Sequence, residues 1–171
     1  MNRSIQLKAA ALFVFAVMFS TMAWAQKKPV ESPRDSVSST VNGAKITINY
    51  GSPSVKGRKV FGDLEKYGKV WRAGANEATV FTTSKDIMVE GKALPAGTYG
   101  FFAIPTETTW TIIFNKVAKQ WGAYKYDESA DALRVVVKPV ASKMNERLVY
   151  KINGKGFSLN WDKVSVPVSV K

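Results

Sequence analysis

Cysteine and histidine are both missing from this 171-residue sequence, and acids are scarce, with 13 Asp and Glu against 25 Lys and Arg. Without cysteine there is no disulfide framework, no thiol nucleophile and no thiolate metal site. Without histidine there is no Ser-His-Asp triad, no imidazole base and none of the common zinc sites. Any chemistry falls to carboxylates, Lys, Arg, Tyr, Ser, Thr or the backbone. What is present is apolar mass: 46% of the residues are hydrophobic and 12% aromatic, enough for one well-filled domain at this length.

A long hydrophobic run is also lacking. Arg3 and Lys8 precede an apolar stretch from Ala9 to Phe19, and Ala23-Trp24-Ala25 stands before the polar Gln26-Lys27-Lys28. The stretch is shorter than the ~20 apolar residues of a membrane-spanning helix. Basic start, short apolar middle and A-x-A end predict a secretory signal peptide over residues 1–25, cleaved after Ala25. The expected location is periplasmic or secreted, with no span left after cleavage and no cysteine for a lipid anchor. Residues 26–35, rich in Lys, Pro and Ser, read as a flexible tether, and residues 36–171 as the folded domain.

The formal net charge is +12. Lys56, Arg58, Lys59, Lys66, Lys69 and Arg72 form the densest basic stretch, diluted by Asp63 and Glu65. It reads first as a solvated, Gly-punctuated loop, with weak contact to anionic surfaces as its functional counterpart. No zinc-finger spacing or ribonucleoprotein motif accompanies it, so nucleic acid is not an expected partner.

From Ile46 onward the chain alternates. Ile46/Ile48/Tyr50, Ile87/Val89, Tyr99/Phe101/Ala103, Trp110/Ile112/Phe114, Leu133/Val135/Val137, Leu148/Tyr150/Ile152, Phe157/Leu159/Trp161 and Val164/Val166/Val168/Val170 each repeat with a period of two. Asn42-Gly43, Glu90-Gly91, Leu94-Pro95-Ala96-Gly97 and Asn153-Gly154 supply the turns between runs. The pattern predicts an all-β fold, a single antiparallel β-sandwich, partly barrel-like, of about eight to nine strands. Gly100 to Ile104 is apolar on both faces and belongs in the middle of a sheet. Pro167 places the last run on an edge. Asp127 is a cap for a single helical turn near Glu128 to Asp131.

Two long irregular loops interrupt the alternation. One runs from Gly51 to Thr79, the other from Asn115 to Asp127. Their motifs Ser-Pro-Ser-Val-Lys-Gly-Arg, Val-Trp-Arg-Ala-Gly-Ala-Asn-Glu-Ala-Thr and Trp-Gly-Ala-Tyr-x-Tyr-Asp, with Leu-Pro-Ala-Gly-Thr-Tyr between, resemble the DUF2911 family. These are exported bacterial proteins of unknown function, found largely among Bacteroidetes. The resemblance runs from about Ser36 to the last strand; it implies an exported single domain and transfers no catalytic residue. Glutamine-dependent amide transfer, a label sometimes attached to such chains, needs an N-terminal cysteine and a nucleotide site that this sequence lacks.

The candidate ligand-binding residues are Trp71, Arg72, Asn76, Glu77, Trp121, Tyr124 and Tyr126. Arg72 carries a planar five-donor fork and Glu77 two acceptors. Either the two pair with each other and clamp the loop, or the two loops meet over an end or face of the sandwich and set Arg72, Asn76 and Glu77 beside Trp121 and Tyr124 as one polar-aromatic ligand site. Asp127, Glu128 and Asp131 match no twelve-residue calcium loop, and no metal or cofactor is expected. Three function classes follow in order. First comes a non-enzymatic module binding a small molecule, glycan or envelope protein. Second is a hydrolase using Glu77 with Asp127 or Glu128 as an acid and base pair, and third a structural envelope adaptor.

Overall fold

The structure is a computed structural model and describes residues 31–171. The expected signal peptide over residues 1–25 and the first half of the expected tether lie outside the described residues. Among those described, the chain forms ten strands: β1 (Arg34–Val41), β2 (Ala44–Gly51), β3 (Thr79–Thr83), β4 (Ile87–Val89), β5 (Lys92–Leu94), β6 (Gly97–Pro105), β7 (Trp110–Asn115), β8 (Asp131–Val137), β9 (Val140–Asn153) and β10 (Gly156–Ser169). A 3-10 turn, Glu128–Ala130, is capped by the Asp127 carboxylate, as its sequence suggested. No helix among the described residues is long and apolar enough to cross a membrane.

Six strands make one antiparallel sheet in the order β1-β2-β3-β6-β7-β8, and β9-β10 and β4-β5 form two separate hairpins. The first hairpin turns at Asn42-Gly43, both at positive φ (49° and 80°), the geometry that a tight two-residue turn demands. One core fills the space between the large sheet and the two hairpins. Ile46, Ile48, Tyr50, Phe81, Phe101, Ile112 and Phe114 face Leu148, Tyr150, Phe157, Leu159 and Trp161. The sheets pack face to face without closing into a barrel.

The tail of β10 joins β4: Met88 and Lys171 exchange both backbone hydrogen bonds at 2.7 and 2.9 Å. Pro167 is exposed on this stretch, where a missing N–H is harmless. The alternating runs before and after Trp161 are one strand, bent by irregular register around Asp162, whose φ is 54°. Three strands fall outside the alternating runs. β1 and β5 are mostly solvent-facing and lack a periodic apolar set, and β3 hides at the end of an irregular segment. β1 also begins at Arg34, so order starts slightly ahead of residue 36.

β6 lies between β3 and β7, and its Phe101 and Phe102 are both fully buried on opposite faces. Phe101 belongs to the main core. Phe102, with Ile113 and Ala78, forms a second small cluster covered by Val70, Ala123 and Tyr126. The cover comes from the two irregular segments, which explains why the middle of this sheet is apolar on both sides.

Candidate functional site

The irregular segments meet by backbone hydrogen bonds over the large sheet. Ala78 N–H donates to Gln120 O at 2.9 Å, and Gly122 N–H donates to Asn76 O at 3.0 Å. The segments that interrupt the strand pattern therefore share one location, as the sequence suggested. Their side chains, however, go to different places.

The stretch from Trp71 to Thr79 is pinned from within. Trp71 exchanges two backbone bonds with Ala103 of β6. The Ala73 carbonyl, at a residue with φ of 51°, accepts from Tyr150 Oη at 2.7 Å and Thr79 Oγ1 at 2.9 Å. Burial pushes the Tyr150 phenol well above its usual range, so it stays a neutral donor. Trp71 Nε1 donates to Gly74 O at 3.2 Å. Gly51 packs so close to this turn that a Cβ there would collide with the Ala75 carbonyl. Loops held by buried hydroxyls and aromatic rings keep one shape.

This pinned turn forms one wall of a cleft of about 270 Å³, with Arg58, Glu65, Arg72, Asn76 and Trp161 among its lining residues. Lys56 and Glu31 stand at its rim, joined by a 2.8 Å ion pair. Arg58 is anchored on the carbonyls of Val55 and Ser54. Asn76 donates to Ser32 O at 3.3 Å. Two buried donors on residues that line the cleft, Arg72 Nε and Trp161 Nε1, have no hydrogen-bond partner among the described residues. Buried polar groups are nearly always paired, because leaving one unpaired costs about 1 to 3 kcal/mol. Glu65 is the cleft's half-buried acid. Burial pushes its carboxyl up to about 7 against the pull of Arg72 and Arg58, and no salt bridge joins it to either.

The seven sequence-nominated residues divide between core, cleft and outer surface. Arg72 and Asn76 line the cleft. Trp71 is core, stacked on Trp161 with centroids 5.8 Å apart and an interplanar angle of 19°, so its ring presents no face to a ligand. Arg72 and Glu77 do not pair: the Glu77 carboxylate lies 3.8 Å from Arg34 on β1, and the expected clamp is replaced by that exposed pair. The reason is the turn itself, whose positive φ at Ala73 and Asn76 reverses the chain between the two side chains. Trp121 and Tyr124 are 61% and 85% exposed, on the outer side of the crossing. Tyr126 packs on Phe102 and donates to Asp131 at 2.6 Å, within a network that includes Arg134 and Asn115.

The other acids of the hydrolase reading have local partners. Asp127 caps the 3-10 turn and Glu128 pairs with Arg134 at 2.8 Å. No group of three or more acidic side chains among the described residues is placed to hold a metal ion. Sequence reasoning overlooked Glu65 and Trp161 as site residues. Glu65 looked like a solvated charge in a basic loop, and Trp161 a core residue of an alternating strand. The only local hint for Trp161 is that Asp162 follows it and interrupts the alternation.

Fold and cleft together define a small antiparallel β-sandwich with a preformed polar cleft beside its core. The profile of the family described as "Protein of unknown function (DUF2911)" matches residues 32–170, and the chain belongs to that family. No curated protein and no solved structure matches it.

Proposed function

We propose that the protein is an exported, non-enzymatic binding module of the bacterial envelope whose ligand site is the Arg72 cleft. One observation carries this reading: two buried N–H donors on residues lining one cleft have no acceptor among the described residues. A site that presents unmatched donors in a rigid frame gains affinity when a ligand supplies the acceptors. The wall is prepared in advance, because Tyr150, Thr79 and Trp71 hold the turn that carries Arg72. The binding reading is preferred to a carboxylate-only hydrolase because the cleft's second carboxylate, Glu31, is engaged by Lys56.

Thermal melts of the processed protein against a panel of small molecules and glycans test this reading. A ligand that raises the wild-type Tm, with the shift lost in Arg72→Lys, supports it. Arg72→Lys keeps the charge and removes the planar fork, so it separates recognition from electrostatics. No shift by any ligand, with destabilisation of the variant, would make Arg72 a structural residue and end the proposal. Export has its own measurement: mass spectrometry of protein from the envelope should find Gln26 as the first residue, and retention of Met1 would overturn it.

A further inference from the structure

The cleft offers donors and charge, and it offers no aromatic face. Trp161 is fully buried, with Trp71 stacked on one side and Phe61 edge-on at 6.0 Å. Its Nε1–H is therefore its only polar contribution to the cleft. Arg72 Nε–H is likewise a donor and cannot accept. A flat apolar ring has nothing to stack on here, and acceptor oxygens are what both orphan donors lack.

Charge favours the same occupant. Once Lys56 and Glu31 cancel, Arg72 and Arg58 remain against a single half-buried acid, Glu65. The charged groups around Glu65 are Arg58 and Lys56 from the loop after β2, Arg72 from the pinned turn, and Glu31 from the chain before β1. An anion seated between Arg72 and Trp161 would lie in the same small cleft as the Glu65 carboxylate, and two like charges in a buried site cannot both be kept cheaply.

We propose that the cleft takes a small oxyanion whose oxygens accept from Arg72 Nε–H and Trp161 Nε1–H, and that Glu65 takes up a proton from solvent as the anion enters. The proposal rests on the reading of this cleft as the ligand site. The balance is simple: an anion and a proton arrive together, the site gains no net charge, and the protonated carboxyl changes from competitor to third donor. The raised affinity of the empty site for a proton, set by burial of Glu65, prepares this exchange.

Acetate and sulfate are suitable probes, since neither titrates between about pH 6 and 8. Titration calorimetry of the processed protein, run in buffers of different ionisation enthalpy, reads the protons taken up. Binding should be nearly flat at low pH and weaken about tenfold per pH unit above pH 7, with close to one proton taken up per site at pH 8. Glu65→Gln should still bind at pH 8 and lose the slope. Trp161→Phe keeps a ring and removes the N–H, so it should weaken the anion without changing proton uptake. Should that variant fail to fold, Arg72→Lys serves in its place. A preference for acetate points to a carboxylate ligand, and a preference for sulfate to a tetrahedral oxyanion.

Anion binding with no proton uptake, or with the same slope in Glu65→Gln, would overturn the inference. So would a neutral sugar that binds in competition with nothing anionic, although it would leave the cleft as the ligand site. Silence from every probe and every panel ligand would overturn both readings.

Discussion

The two irregular segments cross over the same sheet and are built in opposite ways. The Gly51 to Thr79 segment is pinned inward over Trp71 to Thr79, with the Ala73 carbonyl held by two buried hydroxyls and the Arg72 Nε donor left without a partner among the described residues. The Asn115 to Asp127 segment turns most of its polar groups on itself and leaves Trp121 and Tyr124 in solvent. The inward segment leaves a buried donor, Arg72 Nε, without a partner among the described residues, whereas the outward one leaves an acceptor, Gln120 Oε1, and mainly covers the sheet. Aromatic and charge content do not separate them, since both carry aromatics and an excess of positive charge. The neighbours each side chain meets do.

Breaking the inward segment should have the largest effect. Gly51→Ala drives a methyl group into the Ala75 carbonyl, and should cost about 3 kcal/mol or more in a denaturant melt. Gly154→Ala, with nothing near its Cβ position, is the control and should change little. A cost for Gly51→Ala no larger than for Gly154→Ala would show that the turn can move.

Glu65 provides the next test, through pH. Its pKa is raised in the folded state, so the favourable balance is full below the ordinary glutamate range and is lost as pH rises through about 7. Wild-type stability should therefore fall from pH 5 to pH 8, by up to about 3 kcal/mol from this group. Glu65→Gln should flatten that part of the profile. Identical pH profiles would place the Glu65 carboxyl in solvent and remove the contrast with the outer segment.

Tyr150→Phe deletes one of the two hydroxyls on the Ala73 carbonyl and should cost about 1 to 3 kcal/mol, read as a lower midpoint at unchanged m-value. Any ligand found for the cleft should also weaken in this variant, because Arg72 sits on the loosened turn. Smallest of all, Trp121→Ala and Tyr124→Ala should each stay within about 0.5 kcal/mol of wild type. A large loss of stability or of ligand in either would make the outer segment part of the site and dissolve the comparison.

Much of the fold was legible because strands announce themselves locally. Ile48, Tyr99, Phe101, Ile112, Phe114, Val135 and Trp161, each on the apolar face of an alternating run, are all buried. β1 and β5 were not legible, since mostly exposed strands carry no periodic apolar signal. The meeting of the two irregular segments was legible from their shared departure from the pattern. The composition of the site was only half so: Arg72 and Asn76 stand in the cleft, while Glu77 bridges Trp121 through the backbone with its carboxylate turned to Arg34, and the exposed rings of Trp121 and Tyr124 do not line the cleft.

What the sequence by itself determined is the architecture and the family: period-two burial, Gly and Pro turns, and motifs that match over residues 32–170. Those signals are carried by neighbours in the chain, at most a few residues apart. Only the tertiary structure decided that Arg72 and Trp161 share a cleft with Glu65 and that their donors lack acceptors. Desolvation and hydrogen-bond satisfaction depend on groups brought together across long stretches of chain, so no local pattern encodes them. A bend in β10 and a positive-φ turn at Ala73 bring them together in this protein.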